Sequence, residues 1–286
     1  MPVELTILNS MAGRDFEAAL DRHAAWNLKQ LDLKEAVYGK KITELSEAEA
    51  ERAQRAIAAR GLRVYCFSTT LFAGAVEEGE GAFREQHLGP LKATLAAARI
   101  LRPKLIRLID AKPAEKPAGA DALDYLRSRH AWIFECYAEA VDAIAEAGFQ
   151  TTIENEPGGF LDSPAAIARF FDGLGRRERV NYTWDAQNLW QSGIEPSLEV
   201  YARLKPVLAY YHVKGGRVVN GRMKATALSD AGWPVIEITR RVVAEGLSPV
   251  ICLNPPHGER DGGFDLDDLT ARDLAFLRRE VEGIAP

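Results

Sequence analysis

The sequence predicts an α/β chain folded as one (β/α)8 TIM barrel over residues 1–286. Eight short apolar runs rich in Val, Ile, Leu, Tyr and Thr recur along it, as strands buried on both faces require. Longer amphipathic segments alternate with them, the pattern of a parallel sheet with helical crossovers. No GxGxxG follows the first run and no P-loop occurs, so the phosphate-gripping signature of an open doubly wound sheet is missing. A length of 286 residues suits a barrel, which typically takes about 250.

The predicted strands are Glu4–Asn9, Gln30–Glu35, Arg63–Thr69, Leu105–Asp110, Gln150–Asn155, Val180–Trp184, Ala209–Val213 and Pro249–Leu253. Helical spacing marks Leu45–Arg60, Phe83–Leu101, Ala122–Ala147, Pro164–Leu174, Leu198–Leu204, Trp233–Ala244 and Leu266–Glu282, with a weaker segment around Asp15–Trp26. Gly61, Gly148 and Gly246 stand where a helix C-terminus favours a left-handed residue, just before the third, fifth and eighth strands. Ser46 with Glu49 reads as a capping box, and Ser163-Pro164 as a cap followed by proline at the first helical position. Long connections at Leu71–Gly81, Ala111–Ala120 and Gly215–Asp230 leave C-terminal strand ends, the face where barrel enzymes place their chemistry.

A net charge of −5 counts against a protein that grips phosphate backbones, and the charges are well mixed along the chain. Cys66, Cys136 and Cys252 lie far apart without a CxxC pair, which reads as buried thiols in a reducing compartment. The start Met1-Pro2-Val3-Glu4 lacks a basic region, and no run approaches the ~20 apolar residues of a membrane span. The expectation is a soluble cytoplasmic protein with no membrane or nucleic-acid partner.

The chemistry-bearing residues stand at the ends of the late strands. Strand five ends in Ile153-Glu154-Asn155-Glu156-Pro157-Gly158, strand six in Trp184-Asp185 with Asn188 following, and strand seven in Tyr211-His212-Val213-Lys214. A barrel points such side chains at its axis, so Glu154, Asp185 and His212 make a mixed oxygen and nitrogen site. That donor set suits Mn²⁺ or Mg²⁺, and also Co²⁺ or Zn²⁺. Singly, a carboxylate at a strand end is more often a cap, and a single histidine more often structural.

Lys214 is a candidate catalytic cation able to stabilise an oxyanion, against a surface ion pair. Arg217 offers a bidentate grip, against a solvated loop charge. Glu156 and Asn188 are candidate substrate contacts. Only one of Lys34 and Glu35 can face inward from strand two, and Glu35 is preferred. Trp184 and Trp190 offer an apolar wall to a sugar, though buried barrel aromatics are more often core. His23, His87 and His130 fall in helical segments and read as structural, and Asp110 ends strand four without a supporting motif.

Over essentially its whole length the chain resembles the xylose-isomerase-like barrel superfamily of sugar isomerases, ketose epimerases and inosose-processing enzymes. The resemblance rests on the three strand-end motifs above and on Leu31-Asp32-Leu33-Lys34. It implies that Glu154, Asp185 and His212 are three of four metal ligands and that the substrate is a small sugar-like molecule; relatives are often homodimers or tetramers, though the sequence marks no interface. Relatives usually carry a glutamate after strand eight, but here Ile251-Cys252-Leu253-Asn254-Pro255-Pro256-His257 puts Asn254 in its place. An asparagine offers a carbonyl oxygen to a metal but cannot act as a base near neutral pH. His257, also a candidate substrate contact, Glu259 and Asp261 are possible substitutes.

The family's epimerases use two metal-bound glutamates, so Asn254 puts a two-base mechanism in question. Proton abstraction beside a metal-bound carbonyl by Glu154 alone stays open, leading to isomerisation or epimerisation. Loss of a β-leaving group from a keto-sugar, keto-glycoside or inosose is the alternative. A phosphodiesterase like the superfamily's endonuclease branch needs many histidines, and this chain has five. A non-catalytic binding barrel is motivated by Asn254 alone.

Overall fold

The structure is a computed structural model and describes residues 2–114, 121–254 and 266–285. Strands form at β1 (Glu4–Thr6), β2 (Gln30–Leu33), β3 (Arg63–Ser68), β4 (Leu105–Ile109), β5 (Gln150–Glu154), β6 (Val180–Asp185) and β7 (Leu208–Val213). A hairpin of β8 (Gly216–Val219) and β9 (Arg222–Ala225) follows, and then β10 (Val250–Leu253). All the expected barrel strands form, within a few residues of their expected ends. Seven parallel pairings give the order β1-β10-β7-β6-β5-β4-β3-β2. A parallel bridge from Leu8 to Asp32 brings the first and second strands together and closes the ring. The result is an α/β barrel with helices between its strands.

Local chemistry explains the element ends. Ser46 and Glu49 form the capping box of helix Glu47–Ala59, and Ser163 caps Pro164–Leu174 with proline in its first turn. Gly61, Gly148 and Gly246 adopt φ of +66°, +88° and +64°, which a side chain disfavours. Two expected helices are each divided: Glu80–His87 from Leu91–Leu101 at Gly89-Pro90, and Ala122–Arg129 from Trp132–Glu146 at His130-Ala131. Pro90 lacks the N–H that a continuous helix would need there.

The connection expected at Gly215–Asp230 contains the β8–β9 hairpin, turned by Asn220 and Gly221 at φ of +51° and +73°. Asn-Gly suits that turn because both central residues must take positive φ. Among the described residues, no helix is long and apolar enough to cross a membrane. Cys66, Cys136 and Cys252 are buried free thiols.

Candidate active site

Strand register assembles the site. Asp185 of β6 lies level with His212 of β7, and His212 lies level with Cys252 of β10. Asn254 follows just past β10, its N–H donating to the Val213 carbonyl. Glu154 closes β5, level with Thr183 of β6. Glu154, Asp185, His212 and Asn254 are each 2% exposed or less.

One donor atom from each of Glu154, Asp185 and His212 lies within 4.8 Å of the others. His212 Nδ1 is 3.3 Å from Glu154 Oε1 and 3.9 Å from Asp185 Oδ2. The remaining oxygens are engaged. Asp185 Oδ1 caps helix Ala186–Gln191 by accepting from the N–H groups of Gln187 and Asn188, 3.0 Å each. Glu154 Oε2 accepts from Arg107 Nη1.

A divalent cation fits this set. Each carboxylate turns one oxygen toward the imidazole nitrogen, and Asp185 Oδ2 also meets a cation, the Lys214 ammonium 2.7 Å away. An octahedral ion with ligands at ~2.1 Å needs adjacent donors about 3 Å apart and opposite ones about 4 Å apart, matching these spacings. Asn254 lies beside them, with Nδ2 3.2 Å from His212 Nδ1 and Oδ1 accepting from the Cys252 thiol at 3.3 Å. A flip of its amide turns the carbonyl oxygen toward the imidazole.

Two buried charges escaped the sequence reading. Arg107 sits in the centre of β4, with its side chain 4% exposed against Glu154 at 3%, and also donates to the Thr69 carbonyl at 3.1 Å. Asp32 of β2 is fully buried, accepts from the Tyr210 hydroxyl at 2.7 Å, and stands 3.8 Å from His212 Nε2. Asp32, not Glu35, is therefore the inward acid of β2. Strand β2 ends at Leu33, and Glu35 is exposed. The signal was available: a charge inside an otherwise apolar buried strand, Leu105-Ile106-Arg107-Leu108-Ile109, must find a partner in the barrel.

The charges perturb one another. Burial alone would raise the Glu154 carboxyl, but Arg107, followed by His212, reverses this and holds it far below the usual carboxylate range. Burial opposes the charge of Arg107, yet Glu154 and Asp32 keep it firmly protonated. Asp32 is raised by burial, with His212 and Arg107 opposing. Glu156, half-buried, is raised by burial and then by Glu154.

Lys214 is 3% exposed and places Nζ 2.7 Å from Asp185 Oδ2, so its surface ion-pair reading is wrong about depth. Asn188 is buried and donates to the Asn155 carbonyl at 3.0 Å. Arg217 lies on β8 and is exposed. His257, Glu259 and Asp261 fall outside the described residues. Trp184 is wholly buried against Tyr211, as core packing rather than a sugar-facing wall, while Trp190 is half-buried.

Asp110, which no motif flagged, accepts from the N–H groups of Glu156 and Leu161 at 2.7 and 2.9 Å and so holds the loop after β5. Asn155 ties that loop to β6, its Oδ1 accepting from the Tyr182 hydroxyl and the Asp185 N–H.

The sequence signature of xylose isomerase-like TIM barrels matches residues 28–280. Similar solved structures include the 3-keto-D-glucoside 4-epimerase of E. coli, 13% identical with a TM-score of 0.71, covering 97% of this chain and 99% of that one. A xylose isomerase-like TIM barrel protein from Mycobacterium smegmatis, in complex with magnesium, is 16% identical with a TM-score of 0.72, covering 99% and 98%. The probable 3-DHS dehydratase of Bacillus anthracis is 12% identical with a TM-score of 0.71, covering 96% and 98%. At such identities the likeness establishes the fold. No curated protein matches the sequence.

Proposed function

This chain belongs to the xylose isomerase-like TIM barrel family, and from that premise we propose that it is a metal-dependent isomerase or epimerase of a small sugar or sugar derivative. One observation carries the reading: Glu154, Asp185 and His212 each bring one donor atom within 4.8 Å of the other two. These three residues, with Asn254, would hold a divalent cation, and a relative of the same fold has been solved in complex with magnesium. When bound, the cation supplies Lewis acidity toward a carbonyl and a neighbouring hydroxyl.

The remaining work falls to the chain's own groups. Arg107 keeps Glu154 ionised; with Oε1 turned to the cation, Oε2, which meets Arg107, is the oxygen left to take a proton from the carbon beside the carbonyl. Lys214 offers an ammonium to the oxygen on which negative charge develops. Half-buried Glu156 lies within reach of substrate hydroxyls at the rim. The buried pairing of charges excludes bulk water from the base.

Solvent exchange tests this reading. The protein with Mn²⁺ is incubated in D2O with ketoses and 3-keto-glucosides, and the proton beside each carbonyl is followed by NMR. Wild type should exchange it, and Glu154→Gln should do so slower by a factor of ~10²–10⁴. A protein that binds the cation but exchanges no proton on any of these compounds is not such an enzyme. A second reading, elimination by a lyase or dehydratase, is favoured by Asn254, an amide at the position where relatives usually carry a second glutamate. The same panel would then release water or an aglycone.

A further inference from the structure

Asp185 has only one oxygen to give a cation, because Oδ1 is committed to the two N–H groups that open helix Ala186–Gln191. That remaining oxygen, Oδ2, already faces a cation: Lys214 Nζ lies 2.7 Å away, with both side chains 3% exposed or less. Glu154 Oε2, the other carboxylate oxygen of the cluster that meets a cation, is held by Arg107. Three buried carboxylates, Asp32, Glu154 and Asp185, thus face two fixed cations, Arg107 and Lys214. Metal-free, the site is close to charge balance by its own means.

We propose that Lys214 is an internal counter-cation that competes with the divalent ion for Asp185 Oδ2. Loading the site then drives the ammonium off Asp185 and leaves it free to meet the substrate oxyanion. The two events are one: an ammonium and a divalent cation repel each other strongly when they share an oxygen in a dry site. Lys214 therefore weakens metal binding while serving the loaded enzyme. The inference rests on the metal reading above.

Mn²⁺ binding to the full chain tests it, read by the electron paramagnetic resonance of free Mn²⁺. Lys214→Met keeps the side chain's length and removes its charge, and should lower the apparent Kd at least tenfold. Lys214→Arg keeps the charge and should stay near wild type. A Lys214→Met protein that binds no tighter, or more weakly, overturns the proposal while leaving the metal reading standing. If neither wild type nor variants bind Mn²⁺ saturably, the metal reading falls and this inference with it.

A second measurement covers the case in which Lys214→Met does not fold. In native protein labelled at lysine Cε, one resonance is missing from the Lys214→Arg spectrum. That resonance should shift as Mg²⁺ saturates the site, and its failure to move under saturation overturns the proposal.

Discussion

Replacing Arg107 with Met should destabilise the metal-free protein severely, and a divalent cation should restore much of the loss. Arg107 and Glu154 form an ion pair whose side chains are 4% and 3% exposed. Removing one partner of such a pair strands the other charge, at a cost of about 3–5 kcal/mol. The Thr69 carbonyl loses its 3.1 Å donor as well, for about 1 kcal/mol. Together, about 4–6 kcal/mol is a large part of a usual folding margin of ~5–15 kcal/mol. At ~2–4 °C per kcal/mol for chains of this size, the melting temperature should fall by about 10–20 °C.

A cation at Glu154 and Asp185 would resupply the missing charge, contributing ~2.7 kcal/mol at a hundredfold excess over its Kd. Urea denaturation of both proteins, in EDTA and in Mn²⁺, gives the four stabilities. Mn²⁺ should raise Arg107→Met more than wild type. Equal stabilities in EDTA would refute the claim that Arg107 neutralises Glu154, and equal gains from Mn²⁺ would refute the claim that both serve the same carboxylate.

Other consequences are independent of that pair. A Cβ on Gly159 would come within 1.9 Å of Asp110 Oδ2, so Gly159→Ala should displace the loop that carries Glu156 and cost about 1–3 kcal/mol in urea denaturation. Metal binding should persist, because Glu154 precedes the loop. Burial lowers the His87 imidazole from 6.5 to about 4, and its Nδ1 accepts the Phe72 N–H. The unfolded chain therefore binds this proton first as pH falls. Stability should drop between pH 6.5 and 4 by about 1–2 kcal/mol, allowing for solvent screening, and His87→Gln should flatten that slope in pH-dependent denaturation. Asn254→Glu should tighten Mn²⁺ binding at least tenfold in dialysis, since a carboxylate is a stronger ligand than an amide for a hard cation; unchanged affinity would place Asn254 outside the metal's reach.

The barrel was legible because its signals are local and repeated. Apolar runs eight times over, glycines closing helices before β3, β5 and β10, and a serine capping box each have one mechanical reading. The convergence of Glu154, Asp185 and His212 was legible for the same reason, each standing at or one residue before the end of an apolar strand. Arg107 and Asp32 were not, because their meaning depends on partners 47 and 178 to 180 residues away, Glu154 for one and Tyr210 and His212 for the other. A charged residue inside a strand does not name its partner until the strands are side by side. The surface ion pair weighed for Lys214 fails because its side chain is 3% exposed against Asp185, beside the buried Gly215 and Gly216. The β8–β9 hairpin carried an Asn-Gly turn between Val219 and Arg222, a local signal passed over inside a long connection.

The most direct test of the account is the stoichiometry of cation binding at the three strand ends. Wild type and a Glu154→Ala/His212→Ala double variant are dialysed against Mn²⁺ and their metal content is measured by elemental analysis, with circular dichroism checking that both are folded. The account predicts about one ion per wild-type chain and none above background in the folded double variant. An empty wild type, or a double variant that holds as much metal as wild type, would contradict it.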